Sequence, residues 1–545
     1  MRTLRYLLFK AAAPWFVVGV MIAIAVIGMV PPPVAPADAD ATGFSAQRAF
    51  THVEAIATRP RPIGSPESKA AREYLVDQLE DLGVTPALPS LEVPDYYGGR
   101  GEVSIVDIVA LIEGTDSTGA IVLMAHYDTV PPTPGANDDA TAVAAVIETG
   151  RALLAGPQLR NDVILLLTDG EEPAPRFGST AFVENDPMFP AVRLVINLEA
   201  IGGSGTSELI EVAGNEGMML SHYAAAVNRP AASSVLDDIV ELIGGSNTDI
   251  APFRDRGVAA FEFAYLRGSP IYHTSEDDID SVHLGSLQHH GTHLLGLAQR
   301  FGNIDLAPLS GDSQEVFFTL AGRVVVHYPA WIGIALAAIA GLLLAASVGR
   351  ESGRGRLSIR GLAAGAGLLL LVALGVGTLV AVVWRVLVGV LWSSSGPLGI
   401  AGAAWMIGLA VIAIGSTVPF HRRFVRRLGN NEIEWAAVAL WWALAMVSSV
   451  LMSGTGFLFV WPVLAAVVAN AFRPRRRWAM LAIVAAPAIV LTIPVTDTLF
   501  QMGLPRPGNL DSQIPEIVLL AGFLISHLVI LLAPHFRTGT RNPTE

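Results

Sequence analysis

Cysteine is absent from all 545 residues. That removes disulfides, thiolate metal ligands and a thiol nucleophile together, so any bound metal must be held by His, Asp and Glu. Charge is scarce as well, with Asp, Glu, Lys and Arg making up only 15% of the chain. Basic residues are the rarer sign, 35 against 48 acidic ones, for a net charge of -13. A nucleic-acid partner would need a basic face, and the acidity is concentrated in the one part of the chain that reads as water-soluble. Aromatic residues reach 7%, whereas 52% of residues are hydrophobic and the mean hydropathy is +0.51. These averages conceal two different proteins. From about Pro31 to Ser313 the sequence reads as a soluble enzyme rich in Asp and Glu, and from about Arg323 onward it is long apolar runs broken by short basic loops.

A bilayer core is crossed by about 20 mainly apolar helical residues. The first such stretch, from about Ala12 to Val30, follows Arg2, Arg5 and Lys10. A cleaved signal peptide shares that basic start and apolar core, but the length of the stretch favours a retained anchor. Further candidates run at about Val324–Val348, Gly361–Leu387, Gly399–Phe420, Trp435–Met452, Gly456–Ala471, Trp478–Phe500 and Ile514–Leu532. The loops GRESGRGRLSIR, HRRFVRRLGN and RPRRR and the tail HFRTGTRN are rich in arginine, while the alternate loops carry only Arg506. Such alternation follows the positive-inside rule. It predicts a multi-pass membrane protein with both termini in the cytoplasm and the soluble part outside it. The absence of disulfides and of any organelle signal favours a cell membrane, with a vacuolar or other internal membrane as the alternative. A transporter needs ionisable groups in mid-membrane. Arg385 and Asp497 both lie towards an end of their spans, so anchoring is the better reading of the bundle.

The layout expected is an anchor over 1–30, a linker over 31–45, an enzyme domain over 46–305 and a second linker over 306–323. A bundle of about seven spans over 324–534 and a tail over 535–545 complete it. Within the enzyme domain, SPESKAAREYLVDQLEDLG and TAVAAVIETGRALLAG have helical periodicity. VSIVDIVALIEG, AIVLMAHYD, NDVILLLTDG, VRLVINLEA and AAFEFAY read as strands, the third a nearly continuous apolar run suited to burial on both faces. Strands alternating with helices predict an α/β fold, a mostly parallel mixed sheet flanked by helices, beside an all-α polytopic membrane region. In such sheets sites collect beyond the carboxyl ends of the strands.

Five clusters fall there. In MAHYDTV, His126 has the chemistry of a metal ligand and Asp128 is placed to orient its ring; a strand-end histidine beside an aspartate is also a common structural pair. In PGANDDATAVAAV, Asp138 and Asp139 taken singly read as helix caps. Glu171 and Glu172, after a buried strand, read as a solvated turn, or as one metal ligand beside the base that takes a proton from water. Glu199 ends the strand of LVINLEAIGG. His273 in SPIYHTSEDDID has Asp277 close by. Taken together, two histidines and three carboxylates (His126, Asp138, Glu172, Glu199 and His273) suit two zinc ions about 3.5–4 Å apart, with Glu171 left over as base.

The order HYD, GANDD, GEE, NLEA and YHT resembles the M28 family of zinc peptidases, over about Arg59 to Arg300. The membrane layout resembles that family's branch containing the endoplasmic-reticulum metallopeptidase and the fungal vacuolar membrane protease. The resemblance implies a zinc-exopeptidase fold and two Zn2+ per chain, bridged by Asp138. His126 and Glu199 would complete one site, and Glu172 and His273 the other. Glu171 would be general base and later acid, and Tyr272 would steady the oxyanion. A cis peptide between Asp138 and Asp139 is implied too. Soluble relatives commonly carry Asp where this chain has Glu199. The function expected is hydrolysis of peptides by zinc-activated water, most simply as an aminopeptidase. A one-zinc acyltransferase of the glutaminyl-cyclase type, a non-catalytic peptidase-like receptor and a transporter are the alternatives. Asp249 in SNTDIAPF reads either as a residue orienting a substrate amine or as a helix cap. The partners expected are peptide and lipid bilayer; oligomeric state is not legible.

Overall fold

The computed structural model describes residues 2–99, 101–172, 176–242, 244–395, 430–472 and 477–502, with isolated positions beyond them. Met29–His327 form one compact unit and the apolar helices belong to another.

The first unit is built on strands β1 (Ser90–Pro94), β2 (Glu102–Val106), β3 (Ile108–Ile112), β4 (Ala120–His126), β5 (Asp162–Thr168), β6 (Val192–Ala200), β7 (Glu208–Ala213) and β8 (Ala259–Tyr265). Six of them form one sheet in the order β3-β5-β4-β6-β8-β7. The central four are parallel, and β3 and β7 close the two edges antiparallel. The central strands read as near-continuous apolar runs because both sheet faces are covered. Ile121, Leu123 and Ala125 pack into the core that holds the helices Ala46–Ile56, Ala142–Ala155 and Leu284–Phe301. Val122 and Met124 point the other way, onto Phe182, Ile250 and Phe253, as the two-residue repeat of a strand requires.

The run VSIVDIVALIEG is two strands rather than one. β2 pairs with β1 in a separate hairpin, while β3 joins the main sheet. The break falls at buried Asp107, whose Oδ1 accepts the backbone N–H of Asp169 at 3.0 Å. A carboxylate in the middle of an apolar run marks the point where the chain changes partner. The helix expected after Ser65 runs from Pro66 to Asp81, with the Ser65 hydroxyl accepting the N–H of Ser68 at 3.0 Å, an N-cap of the ordinary kind.

Among the described residues, four helices are long and apolar enough to cross a membrane: Ala330–Gly353, Ile359–Val386, Asn431–Leu451 and Ala479–Leu499. Trp15–Ile27 and Phe457–Ala471 are apolar but shorter. The first of the four begins at Ala330, not Val324, because Val324–Pro329 is a strand (β10) paired with Glu315–Leu320 (β9). A β-branched Val triplet favours the extended chain, and Pro329 is accommodated where the helix starts. The candidate spans Gly399–Phe420 and Ile514–Leu532 lie largely outside the described residues, as do most of the arginine-rich loops at 421–429 and 473–476 and the tail at 535–545.

Candidate metal centre

The parallel strands β4, β5, β6 and β8 end along one edge of the sheet, and that edge gathers the expected residues. His126 is the last residue of β4. Its Nδ1 donates to the Asp128 carbonyl at 3.2 Å and lies 3.6 Å from Asp128 Oδ1. A carbonyl partner keeps a proton on Nδ1, so Nε2 is the nitrogen turned inward, where a metal would replace its proton. That Nε2 is 3.3 Å from Asp138 Oδ1 and 3.8 Å from Glu199 Oε2, at the end of β6. On the other side, Asp138 Oδ2 lies 3.2 Å from His273 Nε2, which is 3.1 Å from Glu172 Oε1. Asp138 thus offers one oxygen to each histidine. Two donor triads share it, His126/Asp138/Glu199 and Asp138/Glu172/His273, and within each the donor atoms lie inside 4.8 Å of one another.

A layer of buried groups holds these donors. The Asp128 carboxylate accepts the backbone N–H of Glu171 at 3.1 Å and of Glu172 at 3.3 Å, so one aspartate positions both the β4 histidine and the loop after β5. Asp277 accepts from Asn137 N and Nδ2, each at 2.8 Å, and from Asp138 N at 3.1 Å. Asp139, across the cis peptide at Asp138–Asp139, takes the N–H of His126 on Oδ2 at 3.3 Å. Gly135 has φ +63°, and a Cβ there would sit 2.3 Å from the Asp138 carbonyl oxygen, so this turn is reserved for glycine. His273 also has positive φ, +59°, a conformation that surrounding structure must enforce.

Whether zinc fits can be asked of the atoms themselves. Asp138 Oδ2 and His273 Nε2 are buried and, among the described residues, neither is hydrogen-bonded although they face each other. Burial alone would push both histidines down, but Asp128 and Asp138 carry His126 up, and Asp138 and Glu172 carry His273 up to about 9. Burial pushes Glu171 and Glu199 up, and Glu172 to about 7, with Asp138 adding repulsion to the last. Carboxylates so crowded and so dry resist ionising unless cations are supplied. Two imidazoles, three carboxylates and no thiolate form a donor set that zinc accepts, so the residues fit the metal.

The remaining expected residues fall as follows. Tyr272 stacks on His273 with ring centroids 3.8 Å apart and stands half-buried beside the triad. Asp249 is buried (1% exposed), and the Thr168 hydroxyl donates to its Oδ2. It is not a cap of the short helix that follows, whose N-cap is Ile250, and its charge acts on Glu171. Sequence reasoning missed Arg61, Asn137, Asn197, Glu262 and His290. Arg61 is fully buried, with Nε donating to the Tyr127 carbonyl at 2.7 Å, Nη2 to the Gly135 carbonyl at 3.0 Å and Nη1 to Pro134. Its one visible signal was an arginine set between two prolines in RPRPIGSPES.

The model of peptidase family M28 matches residues 107–298, which include all five donors and Glu171. The chain carries an M28 peptidase domain. Over 311 residues it is 28% identical to endoplasmic reticulum metallopeptidase 1 of Mus musculus, covering 53% of this chain and 35% of that protein. It is 28% identical over 283 residues to the vacuolar membrane protease of Candida albicans, covering 51% of this chain and 32% of that one. The match thus spans about a third of the length of these curated relatives. Among solved structures, Porphyromonas gingivalis glutaminyl cyclase is similar at 20% identity and a TM-score of 0.39, over 47% of this chain and 97% of that one. A Zn-dependent exopeptidase from Parabacteroides distasonis gives 16% identity and a TM-score of 0.40, over 48% and 99%.

Proposed function

We propose that this protein is a membrane-anchored two-zinc exopeptidase acting at the free N-terminus of peptides. The observation that carries the reading is Asp138, whose two oxygens face two different histidines, each with its own further carboxylate. His126, Asp138 and Glu199 would hold one zinc, and Asp138, Glu172 and His273 the other. When bound, such a pair polarises the scissile carbonyl and makes a water acidic enough to be deprotonated near neutral pH.

The rest is the work of side chains. Glu171 takes the proton from the attacking water and returns it to the leaving amine. Its half-buried carboxyl has the raised proton affinity that this shuttle needs. Asp128 restrains the Glu171 and Glu172 backbone, so base and ligand keep their spacing. The Tyr272 phenol, whose ring stacks on His273, would donate to the oxygen on which charge develops. Asp139 and Asp277 act through the backbone N–H groups of His126, Asn137 and Asp138 that they accept. The M28 domain would stand outside the cytoplasm, with both termini inside. The arginine-rich alternate loops support that orientation, and the names of the endoplasmic-reticulum and vacuolar relatives support a membrane location.

The test is zinc per purified chain, together with release of amino acids from short peptides. Two zincs, with activity lost on chelation and in Glu171→Gln while the variant keeps its metal, are expected; the loss should be about 10²–10⁴-fold. Turnover by Glu171→Gln would refute the assignment of the base. One zinc, with cyclisation of N-terminal glutamine, would refute the peptidase in favour of an acyltransferase.

A further inference from the structure

The face of the sheet beneath Glu199 is not apolar. Asn197 and Glu199 lie two residues apart on β6, so their side chains share a face. β8 pairs Glu262 with Asn197, and β7 pairs Glu211 with Glu262. A polar row therefore crosses three strands. Asn197 and Glu262 are fully buried. A buried carboxyl and amide cost free energy unless bonded, and the apolar packing around them gives no reason for their presence.

Their bonds do. Asn197 Nδ2 lies 3.2 Å from Glu199 Oε1, 3.3 Å from Glu262 Oε1 and 3.5 Å from Thr248 Oγ1. The Thr248 hydroxyl itself donates to Glu262 Oε1. The amide hydrogens of Asn197 are divided between Glu199 and the Glu262–Thr248 brace, which fixes which way the amide points. The other oxygen of Glu199, Oε2, is the one that faces His126 Nε2. The main chain is held too, since His290 Nε2 donates to the Glu199 carbonyl at 3.1 Å and its Nδ1 pairs with the Ser207 hydroxyl at 2.7 Å.

We propose that Asn197, braced by Glu262 and Thr248, is a positioning residue that fixes Glu199 as a one-oxygen zinc ligand. The inference rests on the reading of Glu199 as a ligand. A free glutamate arm has three side-chain torsions and two equivalent oxygens. With Oε1 engaged by Asn197, only Oε2 remains for metal, and its direction is set before metal arrives. Supports of this kind commonly carry much of a site's affinity.

The experiment measures zinc per chain on the full-length protein across chelator-buffered zinc concentrations. Wild type is compared with Glu199→Ala, the double variant Asn197→Leu/Glu262→Leu, and Glu262→Gln. The double replacement removes Glu262 together with its donor, so that carboxyl is not left buried and unpaired, and the loss is confined to the bond on Glu199 Oε1 that is under test. Glu199→Ala should lose one zinc. The double variant should bind one zinc about 10–100-fold more weakly and the other normally. Glu262→Gln keeps an acceptor for Asn197 and should stay within about twofold of wild type. Asn197→Ser, too short to reach Glu199, gives the same readout without burying new apolar atoms, should the double variant fail to fold. A folded double variant or Asn197→Ser holding both zincs at wild-type affinity would overturn the proposal. Two zincs retained in Glu199→Ala would instead overturn the ligand assignment, so the two failures are distinguishable.

Discussion

Replacing Arg61 with Met should loosen the metal centre and the M28 domain together. Arg61 has no accessible surface, and its guanidinium joins the segment just after His126 to the loop that leads to Asp138. Burial lowers its proton affinity to about 10, with Asp277, Asp128, Asp138 and Asp139 opposing the shift, so it stays charged at neutral pH. It is thus a fixed cation beside four acidic residues. Hydrogen bonds from a charged donor contribute roughly 1.5–3 kcal/mol each, but three made by one group do not add. Removing one partner from a buried charged set costs about 3–5 kcal/mol. At about 2–4 °C per kcal/mol for a unit of this size, Arg61→Met should melt about 10 °C below wild type. Arg61→Lys keeps the charge but cannot reach three carbonyls at once, and should lose about half as much. Zinc partly replaces the missing charge, so the drop should be larger in chelator than in zinc buffer. The assay is thermal unfolding of the purified protein with and without metal. A Met variant melting within about 2 °C of wild type, with both zincs bound, would refute the reasoning.

Other outcomes follow from the same geometry. Gly135→Ala puts a Cβ 2.3 Å from the Asp138 carbonyl oxygen at positive φ, and should cost about 1–3 kcal/mol and weaken zinc binding; wild-type zinc affinity would count against the loop's role. Burial pushes His289 down to about 4 and His293 well below its usual value. The unfolded chain therefore binds more protons between pH 4 and 6.5, so this stability is complete above about pH 6.5 and is lost as pH falls towards 4. At roughly 1.4 kcal/mol per unit, His289 alone contributes about 3 kcal/mol, and urea unfolding at pH 7 and 5 should show the slope; a slope unchanged in His289→Gln would refute the assignment. Because the chain has no cysteine, single introduced thiols report sidedness cleanly. Exposed Ser117→Cys should react with an impermeant maleimide from outside intact cells and exposed Ser358→Cys should not; the reverse would invert the proposed orientation.

Much of this was legible in the chain itself. Residue type and strand-end position marked His126, Glu172 and Glu199, because metal chemistry limits the donors and an α/β sheet presents its strand ends together. The parallel centre of the sheet was legible from apolar runs that only two-sided burial explains. The edges were not. β7 and the β1–β2 hairpin are short and half-polar, and the split of VSIVDIVALIEG at Asp107 depends on a bond to Asp169, 62 residues away. Arg61, Asn197 and His290 were equally hidden, since each acts on residues between 2 and 91 positions distant.

The sequence by itself determined which chemistry was available: no thiolate, a fixed set of histidines and carboxylates, and apolar stretches long enough for a membrane. Only the tertiary structure decided how those donors divide. That Asp138 turns one oxygen to each histidine, that Asp128 holds the histidine and both glutamates, and that Asn197 occupies one oxygen of Glu199 are matters of distance and direction. Hydrogen bonds and metal coordination act over a few ångströms in space, and that proximity is created by folding, not by the order of residues.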